Sequence, residues 1–477
     1  MLRRTIENWN IIYQSFLLRT ELSAQQQFTA GGNMTTNSVK AQSEAEAQGI
    51  YRWVQLAMGI GCMAMVANLQ YGWTLFVDPI DHKYHWGRTA IQLAFTFFVV
   101  TETWLVPVEA WFVDRFGPRI VIMFGGCMAA LAWVVNSYAS SVEMLYAAAV
   151  LGGIGAGSVY GTCVGNALKW FPDHRGVAAG ATAAGFGAGA ALTVVPIAHM
   201  IADSGYQTAF FDFGLGQGLV VLILGFFIRK PTFDIPIVKK KLNLPQTTYG
   251  FRPMETLRSP IFWVLYVTFV LVASGGLMAA AQIAPIAHDY KIAGEPVSLF
   301  GFQMAALTMA ISLDRIFDGF GRPIFGFVSD TIGREYTMFI AFGTGALMLL
   351  ALSLYGHSPI VFVLATAVYF GVFGEIYSLF PATAGDTFGA KYATTNNGML
   401  YTAKGTAALL VPFGSLLAKN YGWQSVFMVS VAFNSIAALL AVFVIKPMRR
   451  AHIERSNEMA ANGVNTSTPL SVQNAGA

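Results

Sequence analysis

The chain has 477 residues, is 55% hydrophobic and only 11% charged, and has a mean hydropathy of +0.54. A water-soluble protein of this length carries roughly twice that charged fraction, so composition argues against a soluble enzyme and against a nucleic-acid binder with a basic face. The total charge of +4 says little; its placement along the chain says more.

Residues 1–50 read as a polar cytoplasmic tail. They lack the short apolar core of a cleaved signal peptide, and "ENWNIIYQSFLL" reads as a surface helix or a disordered stretch, with Met34 as an alternative start. Twelve segments then reach the roughly 20 apolar residues that a membrane span needs: 53–77, 88–113, 120–139, 144–168, 177–202, 207–228, 261–287, 298–328, 336–356, 359–385, 396–418 and 423–445. Most connections between them are short. The exception is 229–260, whose "RKPTFDIPIVKKKLNLPQ" marks a cytoplasmic linker between a six-helix bundle at 51–228 and another at 261–446. Residues 447–477 read as a cytoplasmic tail, disordered over its last 25 residues.

Lysine and arginine set the orientation. With the N-terminus inside, the tails and the even-to-odd loops hold 22 of the 29 Lys and Arg residues, and the outward loops hold Lys83, Arg88, Lys291 and Lys419. Both termini are therefore expected in the cytoplasm, with the chain in the inner (plasma) membrane. The remaining three cations, Arg315, Arg322 and Lys404, fall inside spans.

The chain repeats itself. "WFVDRFGPR" follows span two and "GFVSDTIGR" follows span eight, aligning Asp114 with Asp330 and Gly117 with Gly333 at an offset of 216. "KWFPDHRG" after span four and "DTFGAKYATTNNG" after span ten align at 217. Two loops with nearly one offset indicate a duplicated, pseudo-symmetric pair of bundles. An aspartate at such a helix end can meet a neighbouring helix dipole or an arginine, which makes Asp114 and Asp330 gating candidates; a plain solvated loop is the alternative.

Charged groups near mid-membrane cost about 2.5–3.5 kcal/mol each on insertion scales and usually face a cavity. Span two holds Glu102 and Glu109, span eight holds Asp314, Arg315, Asp318 and Arg322 in "LDRIFDGFGRP", span ten holds Glu375, and span eleven holds Lys404. Glu109 lies near the cytoplasmic end, where snorkelling or loop pairing is expected; Asp212 reads as interfacial. Glu102 divides between gating and structural pairing. Asp314, Asp318 and Arg322 are spaced i, i+4, i+8 along one side of the helix, so Asp318 and Arg322 can neutralise each other, while Arg315 points about 100° away from Asp314 and is free to pair with a carboxylate on another helix such as Glu375. Arg322 lies roughly 10–12 Å, and Lys404 roughly 12 Å, from the cytoplasmic ends of their antiparallel spans. Two cations at one height suit an anion, above all a dicarboxylate: arginine offers a planar fork and lysine a point charge. A buried salt bridge from Lys404 to Glu375 or to a span-eight aspartate is the competing reading. Gln70, Tyr71, Tyr160, Phe186, Phe373 and Tyr377 stand at matching depths, as cavity lining or as packing.

Cys62, Cys127 and Cys163 have no metal-ligand or disulfide spacing and read as small buried hydrophobes. No nucleophile–base constellation, phosphate-cradling loop or metal cluster includes His82, His85 or His174. No enzyme activity, cofactor, metal or nucleic acid is expected.

The duplicated loops resemble the signature of the major facilitator superfamily. Within it, "QYGWT", "DRFGPR", "VYG" with "WFPDHRG", "TAAGFGAG", "GRPIFGFVSDTIGR", "YSLFPAT" and "LYTAKGTA", in this order, resemble the oxalate/formate antiporter family. The resemblance implies an all-α membrane protein of twelve transmembrane helices in two six-helix bundles, with the substrate between them. It implies carboxylate binding by Arg322 and Lys404, and a cavity lined by Gln70, Tyr71, Tyr160, Phe373 and Tyr377. Phe373 stands where that family shows Trp, and Phe186 where it shows Tyr. Asp314, Asp318, Glu375 and Glu102 are added acids; they can neutralise an empty site or carry protons. The expected function is exchange of extracellular oxalate for intracellular formate by alternating access, as a monomer in the lipid bilayer, with an uncompensated positive cavity holding back the empty carrier. Proton-coupled transport of a pyruvate- or lactate-like monocarboxylate is the alternative.

Overall fold

The protein is described by a computed structural model covering residues 36–231, 244–299 and 301–461. Ala57 closes one small packing unit and Met58–Ala477 forms the other; the core and the candidate site described below belong to the second. Its first half contains the part of α1 (Thr36–Val66) from Met58 on, α2 (Asn68–Tyr71), α3 (Thr74–Tyr84), α4 (Arg88–Trp104), α5 (Val106–Phe116), α6 (Pro118–Ser137), α7 (Val142–Trp170), α8 (Arg175–Ser204) and α9 (Tyr206–Phe227). The second half contains α10 (Pro253–Arg258), α11 (Pro260–Asp289), α12 (Ala306–Ile332), α13 (Arg334–Tyr355), α14 (Pro359–Phe373), α15 (Ile376–Phe388), α16 (Ala393–Ala408), α17 (Val411–Tyr421), α18 (Trp423–Leu440), a π-helical turn (Ala441–Ile445) and α19 (Lys446–Ala461).

Among the described residues nine helices are long and apolar enough to cross a membrane, and ten if α4 and α5, bent by 41°, form one span. Of the twelve expected spans, the two outside this set are α12 and the α16–α17 pair. They carry Asp314, Arg315, Asp318 and Arg322, and Lys404; α12 is long enough but too charged, whereas α16 and α17, of 16 and 11 residues, are each shorter than a span.

The helix pairing repeats between the halves. In the first, α6 packs on α7 and α9, and α4 on α7; in the second, α13 packs on α14 and α18, and α12 on α14. Each half has its own aromatic core. Phe76 stacks on Phe210 at 3.8 Å beside Trp133, and Phe269 stacks on Phe380 at 4.4 Å beside Phe342. Small residues let the halves approach. Gly176 of α8 and Gly326 of α12 face each other so closely that a Cβ on either would strike the carbonyl of the other. A Cβ on Gly180 would strike the Arg322 carbonyl, as in the small-residue contacts of membrane helices.

Three boundaries differ from the sequence expectation. The first eight residues of the expected eighth span, 298–305, belong to an antiparallel hairpin, β1 (Pro296–Leu299) with β2 (Phe302–Ala305), turning at Gly301 with φ +84°; a positive φ suits glycine. Residues 36–50 of the expected N-terminal tail are helical, whereas "ENWNIIYQSFLL" and Met34 lie outside the described residues. The expected C-terminal tail begins as α19, which is anchored: Arg449 donates to Glu335, Ser456 hydrogen-bonds Thr247 at 2.7 Å, and Asn457 accepts from the Thr248 N–H at 2.8 Å. Cys127 is exposed on the outer surface of α6, unlike buried Cys62 and Cys163.

Candidate functional site

Four helices supply the charged centre of the site. In α12 the spacing of Asp314, Asp318 and Arg322 turns all three inward, where they are buried. Arg322, 2% exposed, donates through Nη2 to Asp318 at 2.6 Å and through Nη1 to the Ala183 carbonyl of α8 at 2.8 Å. In α16, Lys404 is 4% exposed. Its Nζ donates to both oxygens of Glu102 in α4, at 3.1 and 3.0 Å, and to the Tyr401 hydroxyl at 2.9 Å. Tyr401 donates in turn to Glu102 at 3.1 Å.

Tyr377 joins the two cations. The Arg322 guanidinium lies 4.9 Å and the Lys404 ammonium 5.9 Å from its ring centroid, both within the range in which a ring attracts a cation. The cations are thus no farther apart than those two distances together. Around them runs a continuous aromatic wall: Tyr71 against Phe186 at 5.4 Å, Phe186 against Tyr160 at 5.6 Å, Tyr160 stacked on Tyr401 at 4.6 Å, and Phe373 edge-on to Tyr377 at 6.3 Å. Phe373 also fills the space in front of Gly276 in α11. Within this wall several buried polar atoms have no protein partner among the described residues: Gln70 Oε1, the Tyr160 hydroxyl, Arg322 Nε and Asp318 Oδ1. A carboxylate can accept from the Tyr160 hydroxyl and from the guanidinium N–H.

The pairing corrects three expectations. The carboxylate on Lys404 is Glu102, not Glu375 or a span-eight aspartate. Arg315 does not meet Glu375; its guanidinium lies 5.3 Å from the Tyr71 ring centroid, while both Glu375 oxygens are buried without a hydrogen-bond partner among the described residues. The two central cations are not bare, because Asp318 and Glu102 neutralise them, so the argument from an uncompensated positive cavity does not hold for this state. Glu109, expected to snorkel or to pair with a loop, keeps both oxygens buried with no hydrogen-bond partner among the described residues, as does Asp314 Oδ1.

The repeated loops make matching contacts at one end of the molecule. Asp114 accepts from Lys169 and, through Oδ2, from the Thr395 N–H at 3.0 Å and hydroxyl at 2.6 Å, in the first turn of α16. Asp330 accepts from the N–H groups of Gly176 and Val177, at 3.0 and 2.9 Å, in the first turn of α8. Each aspartate therefore sits on the positive end of a helix from the other half. Two residues missed in the sequence, Arg175 and Asp386, complete this closure: Arg175 donates to Asp386 at 2.8 Å across the halves, and Arg334 of the repeated loop reaches Asp386 at 2.9 Å and Asp330 at 2.6 Å. The signal was available in the paired loops "DHRG" and "AGDTFG", each with a charged residue directly beside a glycine. Tyr401 was missed as well, although "LYTAKG" sets it three residues, hence one turn, before Lys404. No cluster of three or more metal-ligating side chains occurs among the described residues.

The Major Facilitator Superfamily sequence model matches residues 56–412 and 300–472. An oxalate:formate antiporter of Oxalobacter formigenes is 36% identical over 401 residues, covering 84% of this chain and 93% of that protein. Monocarboxylate transporter 12-B of Danio rerio is 22% identical, covering 78% and 82%. The crystal structure of the human organic anion transporter MFSD10 shares the fold, with a TM-score of 0.60 over 81% of this chain and 97% of that one at 15% identity. This chain is a multi-pass membrane transporter that belongs to the major facilitator superfamily and, within it, to the oxalate/formate antiporter family.

Proposed function

We propose that this transporter exchanges extracellular oxalate for intracellular formate, binding one carboxylate group at Arg322 and the other at Lys404. The observation that carries the reading is the shared Tyr377 ring, which puts both cations against one aromatic surface where the two halves meet. The similarity to a protein named as an oxalate:formate antiporter supports the choice of anion. The lysine and arginine distribution assigns the end closed by Asp114, Asp330, Arg175 and Asp386 to the cytoplasm. The state described is then sealed towards the cytoplasm, and substrate enters from outside. Gln70 and Tyr160 complete the anion's hydrogen bonds, and Asp114 and Asp330 release their helix ends when the halves rock. Exchanging a dianion for a monoanion moves one net charge per cycle, which costs about 2.3 kcal/mol per 100 mV of inside-negative potential; the anion gradients supply it.

One observation favours a second reading. Asp318 with Arg322 and Glu102 with Lys404 balance each other, so an anion entering a neutral site can be accompanied by a proton on either carboxylate. Proton-linked uptake of a monocarboxylate follows from that chemistry. Both readings are tested by labelled oxalate uptake into proteoliposomes loaded with formate, with oxalate or with buffer, for the wild type, Lys404→Gln and Arg322→Gln. Uptake that requires an internal anion and is lost in both variants supports exchange. Uptake into buffer-loaded vesicles under a pH gradient, or transport of a monocarboxylate but not oxalate, overturns exchange in favour of the second reading.

A further inference from the structure

Arg315 has no role in the two ion pairs, and its surroundings are unlike those of the other two buried-span cations. Arg322 and Lys404 each hold a carboxylate; Arg315 is exposed, and no ion pair joins it among the described residues. Its neighbour Asp314 projects to a different side of the helix, and is buried. Arg315 precedes Arg322 by seven residues, two helical turns, so the two share a face of α12 about 10 Å apart along its axis. Arg315 is the one farther from the Asp330 end. Between them on that face lies Gly319, where a Cβ would meet nothing within 4 Å, so the surface joining the two arginines is open. The guanidinium lies over Tyr71, the first ring of the aromatic wall that runs through Phe186 and Tyr160 to Tyr401 beside Lys404.

We propose that Arg315 and Tyr71 form an outer station for small carboxylate anions, which captures the substrate before it reaches Arg322 and Lys404. This rests on the reading of the site as a carboxylate site, though not on oxalate being the cargo. An exposed guanidinium that holds no carboxylate among the described residues attracts any carboxylate without first giving up an ion pair, whereas the inner pairs must be separated. Capture by an accessible cation raises the association rate and fades with salt. Its loss therefore shows in KM on the outer side, not in the maximal rate.

The test is initial uptake of a labelled carboxylate by intact cells, so that only the outer side meets the label, for the wild type, Arg315→Gln and Arg315→Lys. The carboxylate is whichever one the wild type carries. Arg315→Gln is expected to raise the outer KM about five- to tenfold with the maximal rate kept, and to flatten its dependence on ionic strength. Arg315→Lys restores most of both, and uptake into inverted vesicles, which presents the cytoplasmic face to the label, keeps its KM. An unchanged KM and salt dependence in Arg315→Gln overturns the proposal. So does loss of the maximal rate in both Arg315 variants, which makes the residue part of the inner site or of the fold. A wild type that carries another carboxylate but not oxalate overturns the exchange reading alone and leaves this test to run on that anion.

Discussion

Replacing Glu102 by glutamine removes one charge and almost no volume from the centre of the site. In the wild type an anion must take Lys404 from a carboxylate that holds it through two contacts at 3.1 and 3.0 Å, with Glu102 fully buried. A charged hydrogen bond contributes about 1.5–3 kcal/mol and a neutral one about 0.5–1.5, so the glutamine competes less well by roughly 1–2 kcal/mol. At 1.4 kcal/mol per decade, oxalate is expected to bind roughly five- to thirtyfold more tightly to Glu102→Gln. The assay is calorimetric titration of purified protein in detergent. Turnover in exchange falls at the same time, because release slows. Ligand-free thermal stability falls too, since Lys404 is left buried without its counter-charge, and oxalate restores it. Unchanged or weaker oxalate binding by a folded Glu102→Gln protein would refute the reasoning: the Lys404–Glu102 pair would then be scaffolding, with the anion elsewhere.

The glycine contact between α8 and α12 gives a conformational prediction. Gly326→Val cannot keep the close approach to Gly176 and should open the Asp330 end. A cysteine placed at buried Ser329 in a background without Cys62, Cys127 and Cys163 should label severalfold faster with an impermeant thiol reagent applied from that side, and an unchanged rate would show that the contact does not hold the closure. Asp330→Asn weakens the same closure through charge, by about 1 kcal/mol, and should raise labelling of that cysteine less than the valine does. His452, in α19 outside the membrane spans, lies 4.7 Å from Phe251 and 5.7 Å from Phe388, and burial lowers its pKa from 6.5 to about 4. A folded pKa below the unfolded one stabilises above pH 6.5 and loses that contribution as pH falls towards 4. His452→Phe should therefore remove roughly 2 kcal/mol of acid sensitivity between those values, read as a smaller fall in melting temperature from pH 7 to pH 4.5; an equal fall in both proteins would show that the imidazole does not titrate there.

Residue order was enough to place the spans, the duplicated loops and the common height of Arg322 and Lys404, because hydrophobic length and charge placement are properties of one helix at a time. The partner of Lys404 was not legible. A helix read alone gives the depth of Glu102 and of Glu375 but not which helices lie side by side, and α16 packs on α4 and α5 with Glu102 facing it. Arg315 was misread for the same reason: its direction around α12 was right, but Tyr71 of α2, not Glu375, stands there. The hairpin at 296–305 escaped because its residues are apolar enough to pass for the start of a span. The ordering of α19 escaped because its anchors, Thr247, Thr248 and Glu335, lie more than a hundred residues away.

The two resident ion pairs bear on a problem that any carrier of small anions meets: chloride is far more abundant around a cell than a dicarboxylate. On the proposed reading a ligand must displace Asp318 from Arg322 and Glu102 from Lys404 before it gains either cation. A single spherical ion can replace one lost partner and leaves the other pair intact, so it recovers little of what it disrupts. An anion with a charge at each end replaces both partners at once while its flat middle rests on the Tyr377 ring. The internal carboxylates thereby set a threshold that chloride does not cross, and the transporter rejects the common ion by occupying its own binding groups until a ligand of the right length arrives.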